Sequence, residues 1–100
     1  MITQWTANDV QQRMTTGQPL QIIDVRQPGE YMSGHIAGSK LIPLGELPGR
    51  LTEIDPNIEA VIVCHSGGRS SQACDFLLRN GYEQIRNLRG GMMFWDGDVE

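Results

Sequence analysis

The chain predicts an α/β fold on an open, mostly parallel sheet. Short apolar runs rich in β-branched residues recur along it, Leu20-Gln21-Ile22-Ile23-Asp24-Val25 and Ala60-Val61-Ile62-Val63, and a last strand is read at Ile85-Arg86-Asn87-Leu88. Between them lie stretches in which apolar residues repeat at helical spacing. Strands alternating with helices in this way form parallel sheets covered on their faces. The first run is apolar enough to be buried on both sides.

Each element follows from a local signal. Thr6 with Asp9 three residues on resembles a capping box, with Asp standing for Glu. A helix should run over about 7–16, turning Val10 and Met14 inward, and Gly17 ends it. A strand spans 20–25. Pro28, tolerated at the first helical position, then opens a helical turn to about Met32. Leu41 and Ile42 make a very short strand stopped by Pro43.

Residues 44–54 mix helix formers with Pro48 and Gly49, which predicts one broken helix or two short ones. Ala60 to Val63 is the central strand. A helix over 70–80 presents Ala73, Phe76, Leu77 and Leu78 inward and closes at Gly81. Residues 85–88 form a last strand. Gly90-Gly91 then turns the chain into a short helix carrying Met92, Met93, Phe94 and Trp95. This apolar cluster packs on the sheet or edges a site for a partner protein.

One hundred residues, 39% hydrophobic and 20% charged, suit one soluble domain over 1–100. Eight basic and twelve acidic residues give a net charge of −4 with no cationic run, which argues against nucleic-acid binding. Apolar runs of about four residues fall far short of the roughly 20 that span a bilayer. The N-terminus lacks a charged start followed by an apolar run, so a cytoplasmic protein with reduced thiols is expected. The two cysteines, ten apart, match no zinc or CxxC spacing, and no metal site is expected.

The chemistry concentrates in Cys64-His65-Ser66-Gly67-Gly68-Arg69-Ser70, between the central strand and the next helix. Carboxyl ends of strands are where α/β sheets place ligands. A thiol there faces loop N–H groups and the positive end of a helix, which favour the thiolate. A free thiol of pKa ~8.5 is only about 3% ionised at pH 7. Lowering the pKa by about two units takes roughly 2.7 kcal/mol of preferential anion stabilisation.

The helix end supplies up to about 2 kcal/mol of this when partly buried. Arg69 and converging N–H groups are candidates for the remainder. Gly67 and Gly68 allow the backbone conformations that turn successive N–H groups inward. Arg69 can bind an oxyanion or hold neighbouring carbonyls and carboxylates. Cys74, between Ala73 and Phe76 on the helix, reads as a small buried hydrophobe.

These residues resemble the rhodanese-like sulfurtransferases. Asp24-Val25-Arg26 with Glu30-Tyr31, Gly34-His35-Ile36-Ala37-Gly38-Ser39 and Ile42-Pro43 is similar to the family's first signature. The Cys64 loop closed by Arg69-Ser70 is the second match, and Leu88-Arg89-Gly90-Gly91 with Trp95 the third. The resemblance implies a three-layer fold with a five-stranded sheet and Cys64 at the bottom of a shallow pocket. It implies that Cys64 takes sulfur from thiosulfate or another persulfide donor and passes it to cyanide or a thiol, without a cofactor. A relay to a partner, thioredoxin-like or another sulfur-relay protein, shares every one of these features.

It further implies that Asp24 helps to fix the loop, that Arg26 pairs locally with a residue such as Glu30, and that His35 is structural. His65, Ser66, Gly67, Gly68 and Ser70 form the substrate loop. His65 points to the rim, either as an aid to anionic donors or as a solvated residue. The six residues from Cys64 to Arg69 match the sulfurtransferases. The related Cys-dependent phosphatases and arsenate reductases carry one residue more, in a ring wide enough for a tetrahedral oxyanion.

Overall fold

The computed structural model describes residues 2–100. Five strands, β1 (Thr3–Trp5), β2 (Gln21–Asp24), β3 (Lys40–Leu41), β4 (Ala60–Val63) and β5 (Ile85–Leu88), form one sheet in the order β1-β5-β4-β2-β3. Every pairing is parallel. The helices are α1 (Ala7–Met14), α2 (Pro28–Met32) and α3 (Gly68–Arg79), joined by 3₁₀ segments at Leu44–Glu53 and Gly91–Phe94.

Alternation along the central strands divides the core in two. Ile23, Ala60 and Ile62 pack on one side with Ala73, Cys74 and Leu77 of α3 and with Leu47. Ile22, Val61, Val63 and Leu88 pack on the other with Val10 of α1, flanked by Met92 and Trp95. Both faces of β4 are therefore buried, which places its carboxyl end in the middle of the molecule.

The structure departs from expectation at several boundaries. β1 has no counterpart in the strand reading. It is three residues of mixed polarity at the sheet edge, too short for a period to show, and it is held by pairing with β5. Val10 is fully buried, but Met14 is 40% exposed. The helix ends at Met14, with Thr15 as its C-cap, before a second inward turn is complete. The Thr6–Asp9 capping box is present in both directions.

The third helix starts at Gly68, two residues earlier than expected, because Gly67 takes a left-handed cap conformation with φ 108°. Gly68 and Arg69 therefore belong to the helix and not to a free loop. Phe76 and Leu78 are only partly buried, and Cys74 takes a full place in the apolar face. The segment Leu44–Glu53 is broken as expected, at Arg50.

Candidate active site

Val63 ends β4, and Cys64 follows at the carboxyl edge with 1% of its surface exposed. The chain then bends through exposed His65 and Ser66 to Gly67, whose N–H points back at the Cys64 sulfur, 3.0 Å away. The Ser70 hydroxyl, one turn into α3, lies 3.3 Å from the same sulfur. Burial raises the Cys64 pKa, but the Ser70 hydroxyl and the N–H groups of Ser70, Gly67 and Ser66 outweigh it. The thiol therefore sits below its ordinary value. Cys74, fully buried among apolar groups, is pushed up to about 12, first by burial and then by the charge of Cys64.

A second turn of chain supports the loop from below. Met92 N–H donates to the Cys64 carbonyl and Met93 N–H to that of His65, at 2.9 and 3.0 Å. Gly91, with φ 58°, makes this approach: a Cβ there would collide with both carbonyl oxygens. Met92 and Trp95 pack inward, whereas Met93 and Phe94 stand 60% and 69% exposed. The apolar cluster is thus divided between the core and the surface.

Arg69 does not aim its full fork at the sulfur. It grips both carboxylate oxygens of Glu30 on α2, at 2.7 and 2.8 Å. That bond is the main reason the Glu30 carboxyl falls to about 2. Of the two roles open to Arg69, holding a carboxylate is the one its contacts display. Three guanidinium N–H groups remain for other acceptors.

Glu30 is therefore not the partner of Arg26. The Arg26 guanidinium donates to Asp24 at 2.8 to 3.1 Å and to the Gly34 carbonyl at 2.8 Å. Asp24 and Arg26, two residues apart at a strand end, project to the same side, where both are buried. Asp24 was expected to help fix the loop, and no side-chain hydrogen bond from it to the loop is present among the described residues. Its hydrogen bonds go to Arg26, and its charge is felt at Arg69 without contact.

His35 stacks on Tyr31 with ring centroids 3.7 Å apart, and its Nδ1 meets the Tyr31 carbonyl. This matches a structural role. His65 is exposed on the rim. Sequence reasoning missed Asn87, a buried polar residue of β5 that hydrogen-bonds Ser70. A polar residue at an otherwise apolar strand position was its only signal.

Residues 6–98 match the rhodanese-like domain family. A sulfurtransferase of Allochromatium vinosum is 35% identical over 95 residues, covering 95% of this chain and 89% of that protein. The Bacillus subtilis protein YrkF, provisionally named a sulfur carrier protein, is 39% identical over 89% of this chain and 48% of its own length. The crystal structure of a rhodanese-like domain protein from Staphylococcus aureus superposes with a TM-score of 0.92 at 34% identity, covering 100% of this chain and 97% of that one. With its five-stranded parallel sheet and its cysteine loop at the end of β4, the chain belongs to the rhodanese-like family.

Proposed function

We propose that this chain is a sulfurtransferase that carries sulfane sulfur as a persulfide on Cys64. The observation that carries the reading is the short Gly67 N–H contact to a nearly buried sulfur inside a six-residue loop. The Cys64 thiolate attacks the outer sulfur of thiosulfate. A sulfur–sulfur bond forms at Cys64, and the bond to the sulfite group breaks, sulfite leaving with the electron pair. Cyanide or a thiolate then attacks the terminal sulfur, and Cys64 leaves as thiolate. The loop N–H groups that favour the thiolate also favour the persulfide anion.

Arg69 locks α2 to α3 through Glu30 and adds positive charge beside the loop. A persulfide donor substitutes for thiosulfate without changing these steps. No step needs a cofactor, and the cytoplasm is the compartment that keeps such a thiol reduced.

A second reading has specific support. Exposed Met93 is tied to the loop by its N–H bond to the His65 carbonyl, so a partner protein's thiol would meet an apolar side chain near Cys64. A sulfur relay to a thioredoxin-like or other carrier protein uses the same chemistry with that thiol as acceptor.

Thiocyanate formation from thiosulfate and cyanide tests the enzyme reading. Cys64→Ser should lower it by at least about 10³-fold, as removal of a covalent nucleophile does. Cys74→Ser should retain it within a few-fold. Equal loss in both variants would remove Cys64 as the carrier. Cys64-dependent hydrolysis of an aryl phosphate would point to phosphatase chemistry instead.

A further inference from the structure

Behind Cys64 runs a chain of polar groups that the reaction above does not use. The Ser70 hydroxyl lies 3.3 Å from the Cys64 sulfur and 3.2 Å from the Gly67 carbonyl, and it hydrogen-bonds Oδ1 of Asn87. Asn87 Nδ2 donates to Gln4 Oε1 at 2.8 Å and to Ser71 Oγ at 3.3 Å. Ser70 is fully buried and Asn87 is 2% exposed, whereas Gln4 lies on the exposed edge strand β1.

A hydroxyl has one proton to give. In the thiol state each group donates away from the sulfur. Cys64 S–H donates to Ser70, Ser70 O–H to Asn87 Oδ1, and Asn87 N–H to Gln4. A thiolate or persulfide anion reverses the requirement, because it needs the Ser70 proton itself. Asn87 Oδ1 then loses its donor, and an unpaired buried acceptor is costly.

Rotating the Asn87 amide by half a turn restores the bonds to Ser70 and Gln4 and gives up the longer one, to Ser71 Oγ, whose own proton stays on the Gly67 carbonyl. Nδ2 then donates to Ser70 Oγ, and Oδ1 accepts from a Gln4 amide turned in the same way. The two ends of a side-chain amide are nearly equal in shape, so both states fit one cavity.

We infer that Asn87 and Gln4 form a reversible amide relay that turns the Ser70 proton toward or away from the Cys64 sulfur. Asn87 is then a positioning residue for the sulfur anion, an assignment that rests on the proposed role of Cys64 as sulfur carrier. The charged groups around Cys64 lie elsewhere. Arg69 of α3 interacts with its charge, Glu30 of α2 pairs with Arg69, Asp24 of β2 acts on Arg69 through its charge, and Cys74 and His65 are further titratable neighbours among the described residues. Neutral groups, Ser70, Ser71 and Gln4, are the partners of the Asn87 amide.

Replacing buried Asn87 risks the fold, so the lever is exposed Gln4. A carboxylate at that position can only accept. Gln4→Glu therefore holds Asn87 N–H toward the edge and Oδ1 on the Ser70 proton, and the thiolate is disfavoured. The readout is the pH dependence of Cys64 alkylation by iodoacetamide, followed by peptide mass. Gln4→Glu should raise the midpoint by about half a pH unit, slowing alkylation at pH 7 about three-fold.

In a Ser70→Ala background the charge remains but the relay is cut, and the same substitution should leave the midpoint in place. An equal rise in both backgrounds, or no rise with Ser70 intact, would overturn the relay. Alkylation needs no sulfur donor, so this result is read apart from whether Cys64 accepts sulfur.

Discussion

At the scale of single residues, the site is a cysteine whose surroundings outweigh its burial. Two thiols lie ten positions apart, and one is lowered while the other rises to about 12. The difference is hydrogen bonding, because both are buried and only Cys64 faces inward-pointing N–H groups. That contrast was legible in the Gly67-Gly68 pair and in the apolar neighbours of Cys74.

Which carboxylate meets which guanidinium was not legible. Glu30 is four positions from Arg26 and thirty-nine from Arg69, yet it pairs with the distant one because the fold sets α2 against the start of α3. Glu30→Gln tests that clasp. Its folded pKa lies near 2, below the ordinary value of 4.5, so its contribution is full above about pH 4.5 and is lost as pH falls toward 2. The pair is about one-third exposed, so the stability loss at pH 7 should be under about 1 kcal/mol. Denaturant melts of wild type and variant should therefore converge on acidification. A gap that widens at low pH would contradict the assignment.

At the scale of elements, most were legible, the helical turn Pro28–Met32 and the broken segment Leu44–Glu53 included, and the exceptions were an edge strand and a helix start. β4 and β5 coincide with their expected strands, and α1 opens on the capping box that Thr6 and Asp9 announced. Edge strand β1 escaped, since three residues carry no period and their pairing with β5 comes from the far end of the chain. The start of α3 was misplaced because Gly67, as a left-handed cap, draws Gly68 and Arg69 into the helix.

The turn at Gly90-Gly91 was expected, but its duty was not visible. Gly91 brings the last 3₁₀ segment onto the carbonyls of Cys64 and His65. Gly91→Ala meets both a left-handed φ and two carbonyl oxygens, so it should cost at least about 2 kcal/mol of stability. Thermal melts report that loss, and sulfur transfer should fall with it as the loop shifts. A variant melting with wild type would free the loop from this support.

At the scale of the whole molecule, sheet order follows from the same alternation that builds the two cores. Strand β4, buried on both faces, carries Cys64 to the middle of the carboxyl edge, with α3 opening there. The overall field does not assist an anionic donor, because the net charge is −4. With thiosulfate as donor, raising ionic strength from about 20 to 200 mM should therefore leave kcat/KM unchanged or raise it up to about two-fold. A steep fall with salt would show that surface cations steer the donor, contrary to the charge distribution.

In the proposed reaction the transferred sulfur travels on Sγ of Cys64. Intact mass of the protein after incubation with thiosulfate tests it most directly. The protein should gain one sulfur atom that cyanide removes, that persists in Cys74→Ser and that is absent in Cys64→Ser. An adduct that forms equally on Cys64→Ser and disappears in Cys74→Ser would contradict it.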